Sequence, residues 1–313
     1  MIAAKPQPRD VHGIVLLDKP VGMTSNAALQ AVRRLFRARK AGHTGSLDPL
    51  AGGLLPLCLG EATKVSGFLL NGDKTYRFVC RLGETTTTGD AEGGILATRP
   101  VGALDQDGIA AVLARFTGDI LQTPPMHSAV RHQGQRLYTL ARQGLEVERQ
   151  PRRVTVHALR LIALDGPYLT CETRCSKGTY VRVLAQDIGE ALGCGAHVVE
   201  LRRTGVEPYD AGRMLTLEAL RDRAEQGLAA LDAVLLPIDS ALAGWPAVRV
   251  PGDSAHHLRR GESIFWPQAA GGQWVRLYDD EARFFGIGEV LDGRLALRRL
   301  VRGQGGGLFP LGR

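Results

Sequence analysis

Polar and apolar residues alternate from Lys74 to Leu82. In KTYRFVCRL, Tyr76, Phe78, Cys80 and Leu82 fall on one face and Arg77 and Arg81 on the other, which predicts a half-buried strand. A short apolar run, Ile14 to Leu17, predicts an earlier strand that ends in a turn at Asp18-Lys19-Pro20. The period then lengthens: Leu29, Val32, Leu35 and Phe36 recur at helical spacing, with Ser25 the expected N-cap. After the stretch Ala41 to Gly53, LLPLCLG is expected to be a short buried element and EATKVSGFLL a helix, while ETTTTGDAEGG around Asp90 is expected to be a turn or loop. Ile109, Val112, Leu113 and Phe116 mark a further helix with aspartates in its first turn. RRVTVHALRLIALD and YLTCETRCSKGTYVR read as paired strands. The second is expected to carry Tyr180 and Arg182, on a common face if both are still extended, before a helix through Leu184, Ile188 and Leu192. HVVELRRTGV predicts a strand and TLEALRDRAEQ a charged helix. From Trp245 onward, the short strands QWVRLY, RFFGIGEV and RLALRRL are separated by Gly and Asp, which predicts a small β-rich module.

The stretch Ala41 to Gly53, AGHTGSLDPLAGG, follows neither period. Its glycines and the rigid Asp48-Pro49 step predict a shaped loop around one acid and one imidazole, rather than a helix or strand. The basic run RRLFRARK lies just before it. A second basic segment, Arg131 to Arg153, holds six arginines against two glutamates, and with Pro124-Pro125 before it and Pro151 near its end it predicts a projecting subdomain.

Composition is that of a globular protein: 313 residues, 44% hydrophobic and 23% charged, with a formal net charge of +7. The excess of positive charge favours a polyanionic partner such as nucleic acid. No apolar run approaches the roughly 20 residues that span a bilayer, and MIAAKPQPRD lacks the apolar core of a signal peptide. A soluble, cytoplasmic protein is expected. The five cysteines have no C-x-x-C spacing, so reduced, mostly buried thiols and no metal site are expected.

Several chemistries are disfavoured. No second acid has the spacing of a glycosidase pair, GEATK is not a phosphate cradle, and Ser46 has no nucleophile-elbow context. What remains is one aspartate, Asp48, acting as nucleophile or base beside a cation on a polyanionic substrate.

GIVLLDKPVGMTS, AGHTGSLDPLAGGLLPLCLGEATK, KTYRFVCRLG, CSKGTYVRVLAQDIGEALGCGAHVVELRR and the basic excursion with LYTLARQG closely resemble the TruB-type tRNA pseudouridine synthases. The similarity runs in register from Gly13 to Arg203 and is weaker toward the C-terminus. It implies an isomerase that converts uridine 55 of the tRNA T loop to pseudouridine by base flipping, with no cofactor and no metal. A secondary role in tRNA folding is compatible with the same surface.

Carried over by position, Asp48 becomes the nucleophile, attacking C6 of the base or C1′ of the ribose. Arg182 becomes its ion-pair partner, an arrangement that favours the charged carboxylate. Tyr76 and Tyr180 match residues that contact the base, with Tyr180 the candidate for handling the C5 proton. Leu201 matches an apolar wall of the base pocket, and Lys19 and Pro20 match supports beneath the site. His43 matches the histidine that enters the T loop in place of the extruded base. The basic excursion, about 124–153, matches a thumb-like insertion, in which Arg142, Arg152 and Arg153 are expected to meet RNA phosphates. His127 stands there where a tyrosine is expected.

The expected fold is α+β. Residues 1–240 form a catalytic domain around a central, mostly antiparallel sheet, and residues 241–313 form a small PUA-like RNA-binding β-barrel. The expected partner is the tRNA T stem-loop, with no membrane, no obligatory protein partner and a monomeric state. The rival readings are a non-catalytic RNA-binding or RNA-folding protein and a guide-dependent synthase acting as one subunit of a ribonucleoprotein.

Overall fold

A computed structural model describes residues 7–128, 130–267 and 272–302. Residues 1–6 and 303–313 lie outside the described residues, so part of the N-terminal segment and the outer ends of both expected domains do as well. In chain order, β1 (Gly13–Lys19) leads to α1 (Ser25–Leu35), then β2 (Ala41–His43), β3 (Ala51–Leu59), α2 (Ser66–Asn71) and β4 (Lys74–Leu82). A short hairpin follows, β5 (Glu84–Thr86) with β6 (Ile95–Thr98), and then α3 (Gln106–Arg115) and β7 (Gly118–Gln122). The basic excursion carries β8 (Arg131–His132), β9 (Gln135–Arg136) and α4 (Leu137–Arg142). Next come β10 (Arg152–Asp165), β11 (Tyr168–Cys175), α5 (Val181–Ala191), β12 (Ala196–Val206), β13 (Tyr209–Asp210), α6 (Leu217–Glu225) and α7 (Leu228–Asp232).

These strands build one sheet in the order β1-β3-β12-β4-β11-β10-β7, with β2 added on β3 and β13 on β12. The β3–β12 pair is parallel and the remaining pairs of this sheet are antiparallel. The alternation in β4 is the one expected, since Phe78, Cys80 and Leu82 are buried and Arg77 is exposed. Cys171 and Cys175 likewise share the buried side of β11. All five cysteines are buried and free, and burial pushes Cys58 and Cys171 up to about 12.

Several elements depart from expectation. Thr24, not Ser25, caps α1 by accepting from Ala27 N at 3.1 Å, because Ser25 turns inward to a different partner. The stretch Ala41 to Gly53 is not all loop: β2 and β3 extend into it and leave residues 44–50 as the loop proper. EATKVSGFLL splits into a 3-10 turn, Gly60–Lys64, and α2. There Thr63 and Ser66 hydroxyls donate to carbonyls three residues earlier and compete with regular helix bonding. The strand expected to reach Arg182 stops at Cys175, so Tyr180 is the N-cap of α5 and Arg182 lies in its first turn.

One face of the sheet buries Phe78, Cys80, Leu169, Cys171 and Leu201 against α3 and α5, through Ile109, Leu113, Leu184 and Ile188. At the β1–β3 end of the sheet, Val15, Leu17, Leu55 and Leu57 pack on α1 and α6. The C-terminal module contains β14 (Ala247–Arg249), α8 (Gly252–Arg259), β15 (Ile264–Phe265), β16 (Gln273–Tyr278), β17 (Phe284–Leu291) and β18 (Arg294–Leu300). Its five strands run β14-β16-β17-β18-β15. It packs against the first sheet: Ile14, Leu16 and Leu54 share a core with Phe284, Ile287 and Val301. Phe68 of α2 meets Trp245 and Trp274 with ring centroids at 4.7 and 5.9 Å. Each fully buried apolar side chain contributes about 1.5–3 kcal/mol, so this module and the first sheet hold each other in place. No helix among the described residues is long and apolar enough to cross a membrane.

Candidate active site

The 44–50 loop is fixed from several directions. Thr44, fully buried, bonds Pro56 O through its N–H at 3.2 Å and its hydroxyl at 3.3 Å. Ser25 Oγ accepts from Leu47 N at 2.7 Å and donates to Leu47 O at 3.0 Å, which ties the start of α1 to the residue before Asp48. The Leu47 side chain is buried in the core beneath the sheet, and Pro49 O accepts from Gly22 N at 2.8 Å. The residues on both sides of Asp48 are therefore held while its own side chain stays 44% exposed. A carboxylate held this way can reach a group entering from outside.

Beneath the loop lies Arg203, 1% exposed, which donates from Nε to Leu54 O at 2.7 Å and from Nη2 to Gly45 O at 3.3 Å. Its strand, β12, approaches β3 so closely that a Cβ at Gly53 would overlap the Arg203 carbonyl oxygen, and Gly53 has φ +98°. Only glycine adopts that conformation at little cost.

Arg182 is the hub of the site. Its Nη2 lies 2.9 Å from Asp48 Oδ2 and donates to His127 O at 2.8 Å; its Nη1 lies 3.2 Å from Asp90 Oδ2 and donates to Thr88 O at 3.0 Å. The Arg182 and Asp90 side chains are 5% and 3% exposed. A planar guanidinium with fixed donors suits this four-acceptor arrangement. Asp90 is fixed in turn, with Oδ1 accepting from Glu92 N at 3.1 Å, while its backbone O accepts from the Thr86 hydroxyl at 2.7 Å.

Lys19, fully buried, donates to Pro20 O at 2.9 Å and Met23 O at 2.6 Å. Burial pulls its ammonium down to about 8, against the field of Asp48, which acts in the opposite direction. Its bonds hold the turn after β1 rather than any carboxylate. Tyr76, half-buried, pairs in register with Arg203, and Leu201 lies between Ala51 and Phe78. Burial raises the Tyr76 phenol, opposed by Arg203. His43, at the end of β2 opposite Leu57, is lowered first by burial and then by Arg203. Its buried Nδ1 has no hydrogen-bond partner among the described residues. Tyr180 is fixed through its main chain: its N–H donates to Gln122 Oε1 at 3.0 Å, and Gln122 Nε2 donates to its carbonyl at 3.3 Å.

Of the three arginines expected at RNA phosphates, Arg142 lies on the excursion, while Arg152 and Arg153 open β10 in the central sheet. Arg142 stacks over Tyr138 at 5.7 Å, Arg152 is paired in register with Gln122, and Arg153 stands 3.6 Å from Asp119. The thumb-side bond to Arg182 comes from the backbone carbonyl of His127, whichever side chain residue 127 carries.

Asp90, Gln122 and Arg203 have no distinguishing signal in the sequence. Asp90 sits in a polar, glycine-containing run, and an acid bonding its own turn is equally common at the surface. Gln122 ends an ordinary edge strand, and nothing in LRRTG separates buried Arg203 from exposed Arg202 except the strand period.

The description "TruB family pseudouridylate synthase (N terminal domain)" matches residues 33–181, "tRNA pseudouridylate synthase B C-terminal domain" matches 182–243, and "Pseudouridine synthase II TruB, C-terminal" matches 246–301. A protein of Nitrosococcus oceani named tRNA pseudouridine synthase B is 57% identical over 301 residues, covering 96% of this chain and 98% of the relative. One of the same name from Stutzerimonas stutzeri is 54% identical over 298 residues, covering 95% and 97%. Among solved structures, a Cbf5-Nop10-Gar1 complex superposes with TM-score 0.73 at 24% identity, covering 93% of this chain and 85% of that one. An H/ACA RNP bound to a substrate RNA containing 2′-deoxyuridine gives 0.72 at 22% identity, covering 96% and 93%. At that identity the likeness is one of fold.

Proposed function

The chain belongs to the TruB family of pseudouridine synthases, and from that premise we propose that it isomerises uridine 55 in the T loop of tRNA, with Asp48 as nucleophile. The observation that carries the assignment is the Asp48–Arg182 pair at 2.9 Å, in which the acid is half open and the arginine buried.

Asp48 attacks C6 of the uracil or C1′ of its ribose, and the N1–C1′ bond breaks. The detached uracil turns, C5 bonds to C1′, the C5 proton leaves while N1 takes up a proton, and Asp48 is released. Reactant and product are isomers, so the atoms balance without a redox partner. Arg182 keeps the carboxylate aimed, and Asp90 holds Arg182 from behind. Tyr76, Tyr180 and Leu201 enclose the base, with Tyr180 serving the C5 proton.

A flipped base leaves a gap whose opening costs a few kcal/mol, and a ring inserted in its place recovers roughly 1–3 kcal/mol by stacking. His43 takes that role, its part-buried imidazole held toward the neutral form by burial and by Arg203. Lys19 and Pro20 support the turn below. The 124–153 excursion acts as the thumb, with Arg142, Arg152 and Arg153 toward phosphates. Residues 1–240 form the catalytic domain and 241–313 the PUA-like one. The enzyme works in the cytoplasm as a monomer without an obligatory protein partner. The relatives named tRNA pseudouridine synthase B, at over half identity, support this stand-alone form over a guide-dependent one.

The test is to incubate the purified protein with a bare T stem-loop and map pseudouridine. Product at the position equivalent to 55 is expected; no product without added subunits would overturn the reading.

A further inference from the structure

Gln122 is the last residue of β7, and the basic excursion leaves the sheet immediately after it. It is 2% exposed, which is unusual for a glutamine at the end of an edge strand. Its side-chain amide is not spent on β-ladder bonding. Instead it makes two bonds to one residue's main chain: Oε1 accepts from Tyr180 N at 3.0 Å and Nε2 donates to Tyr180 O at 3.3 Å. Tyr180 is the N-cap of α5 but makes no side-chain capping bond, so the Gln122 amide sets the orientation of this helix start from outside. Two residues further on, Arg182 donates to His127 O at 2.8 Å, five residues after Gln122. The root of the excursion therefore grips the start of α5 at two points, one on the backbone of Tyr180 and one on the head of Arg182.

We infer that Gln122 is a positioning residue that couples the placement of the thumb-like excursion to the alignment of Tyr180 and Arg182. This rests on the functional reading above. When the root of the excursion is seated, the amide clamp and the His127 carbonyl fix both groups; without the clamp, Tyr180 and Arg182 lose their reference to it. Gln122 reaches Tyr180 only through its main chain, so binding of RNA should survive its replacement while the chemical step suffers. A misplacement of about 1 Å in a reacting group costs on the order of 10²-fold in rate.

The experiment uses the full chain and a T stem-loop carrying tritium at C5 of the target uridine. Single-turnover release and RNA affinity are measured for the unsubstituted protein, Gln122→Leu and Gln122→Glu. Leu removes both bonds. Glu keeps the acceptor for Tyr180 N–H, removes the donor, and carries the test alone if the Leu variant does not fold. The expected result is a rate loss of about 10²-fold in Leu and a smaller loss in Glu, with Kd changed by less than about threefold. A folded variant with a rate within about twofold of the unsubstituted protein, or a rate loss matched by an equal loss of affinity, would overturn the inference. No release by the unsubstituted protein would instead sink the functional reading, and this inference with it.

Discussion

Asp90 holds Arg182 from the side opposite Asp48, with Nη1 3.2 Å from its Oδ2 and both side chains almost fully buried. A buried charge pair is costly to break, because the surviving charge is left without a partner. Arg182→Met strands Asp90 in the core and should lower stability by about 3–5 kcal/mol as well as abolish turnover. Asp90→Asn keeps the volume but weakens the brace. Since each 1.4 kcal/mol of lost alignment is about tenfold in rate, its single-turnover rate should fall about tenfold or more while tRNA affinity holds. Tritium release together with urea unfolding separates these two effects.

Gly53→Ala should destabilise the protein by about 2–4 kcal/mol, since the added Cβ meets the Arg203 carbonyl and the residue has φ +98°. Denaturant midpoints check this. A loss below about 0.5 kcal/mol would mean that β3 and β12 can separate at this point without cost.

Lys19 gives a pH signature of definite sign. In the folded protein it titrates at about 8, below the ordinary lysine value of 10.5, so between those values the unfolded chain binds more protons. Stability then rises with pH through that window, because the folded protein sheds a buried charge that the unfolded one keeps. The buried cysteines act in the opposite direction above about pH 9, so the Lys19 contribution is read as a difference. Relative to Lys19→Met, the native protein should gain on the order of 1–2 kcal/mol between about pH 7.5 and about pH 9.5. A flat difference would contradict the burial argument.

Affinity for tRNA should fall steeply with salt, as phosphate contacts release counterions. Replacing Arg142, Arg152 and Arg153 by Gln should flatten the log–log slope by roughly 0.7–0.9 for each phosphate that is no longer neutralised. Arg153 should contribute least, because Asp119 stands 3.6 Å from it. An unchanged slope in the triple variant would place the excursion away from the backbone.

Much of this fold is legible in the sequence because its strands are half-buried and its helices amphipathic. β4, α1, α3 and the C-terminal strands follow directly from spacing. The start of α5 does not. Tyr180 and Arg182 are two residues apart, a spacing that suits a strand face, but a helix beginning at Val181 turns them apart by about 100° per residue. Burial of polar groups is the harder case. Asp90, Gln122 and Arg203 each have a partner distant in sequence, and Arg182 stands over ninety positions from Thr88 and Asp90. No local pattern signals such partners. Asp48 itself stands out through its shaped loop and the family resemblance, not through composition.

The central claim is that Asp48 breaks the glycosidic bond while other residues bind the RNA. Asp48→Asn tests it most directly, with the same tritium-labelled T stem-loop and with RNA affinity measured alongside. The account predicts that the variant binds RNA as the native protein does and releases no tritium; release at the native rate would contradict it.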